Sequence, residues 1–179
     1  MVLEVLSVGL MKLDIGAGSD PCGEDEKRRA AGLPHRPDGE WTTVDAFCEA
    51  DIRAMMWDLP IGDDLVDGIW SSHVLEHLPA NRVAETLREW LRVLRPGGTA
   101  IIQVPNLDYA CRYWLEHQGE PWALMILFGN QHHQGEFHQT GWSRASLWQD
   151  LADAGFVVDS IETTWDYGQE TLRASVHKQ

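Results

Sequence analysis

The run Asp14-Ile15-Gly16-Ala17-Gly18 sets a carboxylate just before two glycines spaced by one residue, at the end of an apolar run over residues 10–15. Glycines allow a tight turn and let a ligand approach backbone N–H groups. A dinucleotide fingerprint would need a third glycine at position 21, where Pro21 stands. A carboxylate beside the turn repels phosphate and attracts an ammonium, so an amino-acid moiety suits it better than a pyrophosphate. The plainer alternative is an ordinary strand-end turn. Asp45 closes the apolar stretch at 41–44 and is the second acid. A carboxylate at that place can accept hydrogen bonds from both hydroxyls of a ribose, although strand-end aspartates are common for other reasons. Met55, Met56 and Trp57 offer apolar walls for an adenine, or simple core packing.

Eight histidines raise the question of a metal. His73 and His77 are four apart and would share a helix face, as two zinc ligands do in HExxH, but Val74 stands where the glutamate should be. His132, His133 and His138 lie in a polar stretch with Glu136 and show no ligand spacing, so no metal site is expected. A neutral imidazole at His77, His73 or His138 has the chemistry of a general base for an oxygen or nitrogen nucleophile. Glu76 and His77 also read as a hydrogen-bonding pair that orients a helix start. Tyr109 and His138 lie on segments that would cover a substrate.

These groups need a scaffold, and periodicity supplies one. Strands are expected at residues 10–15, 41–44, 52–56, 68–71, 99–104, 156–164 and 172–177. The clearest helix is 79–95, where Val83, Leu87, Leu91 and Leu94 recur at three- and four-residue spacing before Pro96-Gly97-Gly98 stops it. Two shorter helices are expected at 108–117 and 121–128. Ser143 caps another, which ends at Gly155. Residues 19–40, rich in Pro, Gly and charge, read as a long irregular loop with at most one helical turn. Alternating strands and helices imply an α/β protein with a mostly parallel sheet and a C-terminal antiparallel hairpin strand. Ligands of such sheets bind at the carboxyl ends of the strands.

Composition narrows the function classes. The 179 residues suit a single domain, with 28 acidic against 14 basic side chains and a net charge of −14. That field disfavours nucleic acid and anionic membrane as partners. Three scattered cysteines make neither a disulfide framework nor a zinc pattern, which suits the cytoplasm. No apolar run reaches the roughly 20 residues of a membrane span, and the early Glu4 makes a poor signal peptide. Nine tryptophans without a fixed period read as core and cleft residues.

Together, the glycine turn and Asp45 resemble the class I S-adenosylmethionine-dependent methyltransferases. The more specific marks are LEHL at 75–78, after the strand that follows Asp67, and RVLRPGG at 92–98. The resemblance runs from about Lys12 to Gly155. Residues 127–130 and 137–142 also look like small methyltransferases associated with saccharide or surface-polymer synthesis. The resemblance implies a Rossmann-like sheet with helices on both faces and S-adenosyl-L-methionine as cofactor. It implies that Asp14, Gly16, Ala17 and Gly18 hold the methionine end, Asp45 the ribose, and Met55 and Met56 the adenine. Ser72 and His73 would close the site through their backbone. The acceptor, a small molecule or saccharide, would enter beneath 106–142, a substrate-side insertion, with a homodimer as one way to complete an open pocket.

Two departures from the family pattern stand out. Met55 replaces a frequent aspartate, and 19–40 replaces a regular helix or a short connection. Residues 1–10 read as an extension ahead of the first strand. The rival readings are a cofactor-binding protein without activity and a nicotinamide-dependent oxidoreductase, which Pro21 and RVLRPGG oppose.

Overall fold

The computed structural model describes residues 10–18, 21–33, 35–132 and 134–179, and within them all side chains but those of 21–24 and 134. Residues 1–9 of the expected extension therefore lie outside the described part. Strands β1 (Lys12–Ile15), β2 (Thr42–Asp45), β3 (Ile52–Arg53), β4 (Val66–Ser72), β5 (Leu94–Pro105), β6 (Val157–Asp166) and β7 (Gln169–His177) form one sheet in the order β3-β2-β1-β4-β5-β7-β6. The pairs β1–β2, β1–β4, β2–β3 and β4–β5 are parallel. β7 runs antiparallel to both of its neighbours, so it is the one reversed strand among those described. This is the expected α/β architecture, a mostly parallel Rossmann-like sheet flanked by helices with an antiparallel strand pair at its C-terminal end.

The helices are α1 (Pro21–Ala30), α2 (Ala80–Val93), α3 (Leu107–Glu116), α4 (Pro121–Phe128) and α5 (Arg144–Ala154). On α2, Val83, Leu87, Trp90 and Val93 repeat at helical spacing and all are buried. They join Leu13, Ile15, Ile69, Ile102 and Val104 from the sheet in one core. Ser143 caps α5, its hydroxyl accepting from Ser146 N–H, and Gly155 ends the helix in the left-handed region. The β6–β7 hairpin turns on Tyr167 and Gly168, both at positive φ, as a two-residue primed turn requires.

Three expectations change. The loop expected over 19–40 contains α1, a ten-residue helix, so the supposed departure from a regular helix is overturned. Apart from Asp25, its charged residues 24–29 are sound helix formers, and the helix is fixed by tertiary contacts rather than by an apolar stripe. β3 stops at Arg53, leaving Met55 and Met56 beyond the strand. α2 ends at Val93 and β5 begins at once, so Arg95 to Gly98 lies within the strand. A register shift between Val66 and Gly68 absorbs these residues, and a Cβ at Gly98 would stand 2.8 Å from the Arg95 carbonyl oxygen.

From β1 the chain steps outward to β2 and β3, then returns to β4 on the other side of β1. The crevice at that reversal opens at the carboxyl ends of β1 and β4, where Gly16 and Ser72 stand.

Candidate functional site

β1 delivers its backbone into the expected turn. Gly16 and Gly18 adopt φ of 73° and 69°. A Cβ on Gly16 would meet Val74 Cγ2 at 2.3 Å, so the β4 end packs directly on the turn. Gly16 N–H donates to the Val44 carbonyl at 2.8 Å. Asp45 splits its carboxylate between two tasks. Oδ1 accepts from the N–H groups of Phe47 (2.7 Å) and Cys48 (2.8 Å), and Oδ2 accepts from Gly18 N–H at 3.1 Å. The acid expected for a ribose thus also ties the glycine turn to the end of β2.

Asp14 is only 6% exposed. Its Oδ2 receives Arg36 Nη1 at 2.6 Å, and Arg36 is itself held by Asp25, through Nε at 2.8 Å and backbone N–H at 3.1 Å. Burial pushes the Asp14 carboxyl up to about 6, against the opposing pull of the Arg36 guanidinium. The acid expected to hold an ammonium therefore already faces a cation.

A second buried cluster closes the far side of the crevice. Arg28 of α1 donates to Ser72 Oγ from both terminal nitrogens at 3.2 Å, meets Asp166 Oδ2 at 3.0 Å, and lies 4.7 Å over the Tyr167 ring. Gln103 Nε2 also donates to Ser72 Oγ at 2.9 Å. His73 takes a φ of 56°, uncommon outside glycine, and directs its ring between Glu76 (Nδ1–Oε1 3.3 Å) and Asp166 (Nε2–Oδ2 3.5 Å). Burial alone would lower the His73 pKa, but the Asp166 and Glu76 carboxylates outweigh it and raise it. Burial would likewise raise Glu76, but His73 and the neighbouring His77 and His138 hold it below the usual range.

The expected helix face shared by His73 and His77 does not form. His73 precedes the short 3-10 turn Leu75–His77 and turns toward the β6–β7 hairpin. His77 instead meets His138, with ring centroids 5.2 Å apart. The irregular stretch 137–140 straps this turn. His77 Nδ1 lies 3.2 Å from the Phe137 carbonyl, Gln139 and Thr140 N–H donate to Glu76 O, and Thr140 Oγ1 donates to Leu75 O and Leu78 O. Burial, with His77 and His73 nearby, lowers the His138 pKa, so its ring is neutral near pH 7.

Of the remaining expected residues, Met55 is exposed at the crevice side of β3, whereas Met56 packs on the core and its carbonyl accepts from Trp90 Nε1 at 3.0 Å. Ala17 lies within the turn, its N–H 3.3 Å from Val44 O. Ser72 and His73 reach the site's edge, but their side chains are engaged in the buried cluster. Tyr109 lies beside Trp165, with ring centroids 5.7 Å apart. His132 pairs with Glu136 at the surface, and His133 lies outside the described residues. Arg28, Arg36 and Asp166 went unmarked in the sequence. Each acts through a partner at least 22 residues away, so no local pattern could mark it.

No helix among the described residues is long and apolar enough to cross a membrane. Residues 28–102 match the family model described as a methyltransferase domain. An uncharacterized methyltransferase of Mycobacterium avium (strain 104) is 36% identical over 103 residues, which are 54% of this chain and 40% of the relative. A relative from Mycolicibacterium paratuberculosis is similar to the same extent, with 39% of its length covered. The matched stretch thus spans about two-fifths of these curated relatives. Among solved structures, the chain is similar to the Burkholderia thailandensis 1,6-didemethyltoxoflavin-N1-methyltransferase, solved with S-adenosylhomocysteine bound. That match has a TM-score of 0.61 and 17% identity, covering 94% of this chain and 71% of the other. It is also similar to a Methanosarcina mazei S-adenosylmethionine-dependent methyltransferase, with a TM-score of 0.60 and 16% identity over 97% and 94% of the two chains. The chain has the fold of the class I S-adenosylmethionine-dependent methyltransferases.

Proposed function

We propose that this protein is a cytoplasmic S-adenosylmethionine-dependent methyltransferase that acts on a small-molecule or saccharide acceptor. The observation that carries this reading is the row of groups along the carboxyl edge of β1 and β2. A buried Asp14 faces a cation, a glycine turn follows with Gly18 facing open space, and Asp45 anchors that turn. The fit to the cofactor is chemical: the Arg36 guanidinium stands on Asp14 where the ligand's ammonium would go.

On this reading Asp14 binds the ammonium, and Gly16, Ala17 and Gly18 cradle the amino-acid end. Asp45 takes the ribose hydroxyls, while Met55 forms a wall for the adenine and Met56 supports it from the core. Ser72 and His73 bound the site from β4. The cofactor supplies an electrophilic methyl group on a sulfonium sulfur, open to in-line attack by the acceptor. Little beyond alignment is then asked of the protein. His73 sits between two carboxylates, which raise its pKa, and serves to orient the end of β4. His138, neutral and beside His77, is the better group to take a proton from an acceptor oxygen or nitrogen. The region 106–142 forms the acceptor side, and a second copy of the chain is one way to complete it.

Calorimetric titration with S-adenosylhomocysteine, with NAD as control, tests the reading. Micromolar binding of the first alone is expected. Absence of binding at millimolar ligand overturns it. The contact of Arg36 on Asp14 favours one second reading, a cofactor-binding protein without turnover, which would bind S-adenosylhomocysteine yet methylate no acceptor in a screen.

A further inference from the structure

We propose that Glu76, His77 and His138 form a binding site for a divalent ion of the zinc class at the carboxyl end of β4. One ligand atom from each of the three lies within 4.8 Å of the others. Glu76 is 1% exposed, and neither of its carboxylate oxygens receives a well-formed hydrogen bond, with His73 Nδ1 at 3.3 Å as its ion-pair neighbour. A buried carboxylate in that condition is normally paired more fully or coordinates a metal.

The donor types agree with this assignment. Two imidazoles and a carboxylate are a recurrent zinc set that leaves a fourth position for water or substrate. His77 Nδ1 stands 3.2 Å from the Phe137 carbonyl. Donation there fixes the tautomer and leaves Nε2 as a bare lone pair, the orientation that outer hydrogen bonds give to metal-binding histidines. The same strap fixes His138 on the opposite side, through Gln139 N–H to Glu76 O at 2.7 Å and Gln139 Nε2 to His77 O at 2.7 Å. The set is thus built on hydrogen-bonded backbone from two distant parts of the chain. With bonds of about 2.1 Å, tetrahedral ligand atoms stand roughly 3.4 Å apart, so loading draws the side chains together by about an ångström. Spacing could not reveal this set, because His138 lies far along the chain from the Glu76-His77 pair.

The assignment goes beyond methyl transfer and stands apart from it, since its test uses the metal alone. In the loaded protein, His77 and His138 are ligands, and the role of His138 as proton acceptor belongs to the metal-free protein. The full chain, stripped with a chelator, is titrated with Co2+ and then with Zn2+. The expected result is one equivalent of Co2+ with the intense visible bands of four-coordinate cobalt, displaced by Zn2+. His138→Ala and His77→Ala should each weaken binding by at least about tenfold, while His132→Ala leaves it unchanged. Glu76→Gln tests the buried ligand. His138→Ala, on the strap rather than in the core, keeps the test valid where Glu76→Gln fails to fold. Failure to take up Co2+ at one equivalent, or uptake that His138→Ala does not alter, overturns the proposal. S-adenosylhomocysteine binding by the same preparations shows separately whether the cofactor reading holds.

Discussion

Two arginines of the stretch 19–40, Arg28 and Arg36, each end on a buried aspartate at the carboxyl edge of the sheet, but in different company. Arg28 rises from α1 and has Ser72, Asp166 and the Tyr167 ring around it. Its pair joins α1, β4 and the β6–β7 hairpin. Arg36 rises from irregular backbone after α1 and has Asp14 and Asp25 as its charged partners. The first contact fastens three elements that must not separate. The second covers an acid that the proposed function needs free, and Asp25 offers the displaced guanidinium somewhere to stay. Burial alone does not tell a structural ion pair from an exchangeable one. What distinguishes them is how many elements each pair joins and whether one partner has a second place to go.

The contrast breaks most sharply with Arg28→Ala. Removing Arg28 leaves Asp166 with His73, at 3.5 Å, as its remaining cationic neighbour and should cost about 3 kcal/mol, read by urea denaturation. Gly16→Ala comes next. Its Cβ meets Val74 Cγ2 at 2.3 Å and its φ is positive, so a loss of about 2–3 kcal/mol is expected. Val74→Ala in the same chain should restore part of it. Arg36→Ala should cost less, about 1–2 kcal/mol near pH 8, because Asp14 can take a proton. In exchange, S-adenosylhomocysteine should bind about tenfold more tightly, ~1.4 kcal/mol, by calorimetry. If Arg36→Ala instead matches Arg28→Ala in stability and leaves affinity unchanged, the two pairs are alike and the distinction fails.

The pH profile probes the same acid without a substitution. Asp14 has a folded pKa of about 6 against an ordinary 3.8. The folded protein therefore holds more protons on this group between those values. Its contribution to stability is greatest at low pH, declines as pH rises through the window from 3.8 to about 6, and is flat above it. Affinity for a ligand ammonium runs the other way and should fall as pH drops below about 6. Asp14→Asn should bind weakly and lose that dependence. A wild-type affinity that stays level across the window would mean that Asp14 does not hold the ammonium.

The parts of the molecule legible in the sequence are those with local causes. The spacing of Val83, Leu87 and Leu91 marks α2, Ser143 and Gly155 bracket α5, and Asp14 to Gly18 marks the turn. The helix α1 escaped because Pro21, Gly23 and six successive charges hide it, and what fixes it is Arg28 reaching across to β4 and the hairpin. His73 and His77 share helical spacing, yet the left-handed backbone at His73 turns their rings to different partners. The meeting of His138 with Glu76 and His77 depends on the strap at 137–140, a long-range pairing without a periodic signature.

The position of β7 between β5 and β6 has a consequence for biosynthesis. A ribosome releases β6 before β7, yet β6 has no place on the sheet until β7 has paired with β5. Until then the β5 edge, with Ile102 and Val104, stays open as a template for another nascent chain. Asp166, the partner that settles α1, arrives in that same last portion. The crevice begins at residue 14 but is not closed until Asp166 and the start of β7, where Thr171 pairs with Pro105, have emerged, so it stays unfinished while most of the chain is already made.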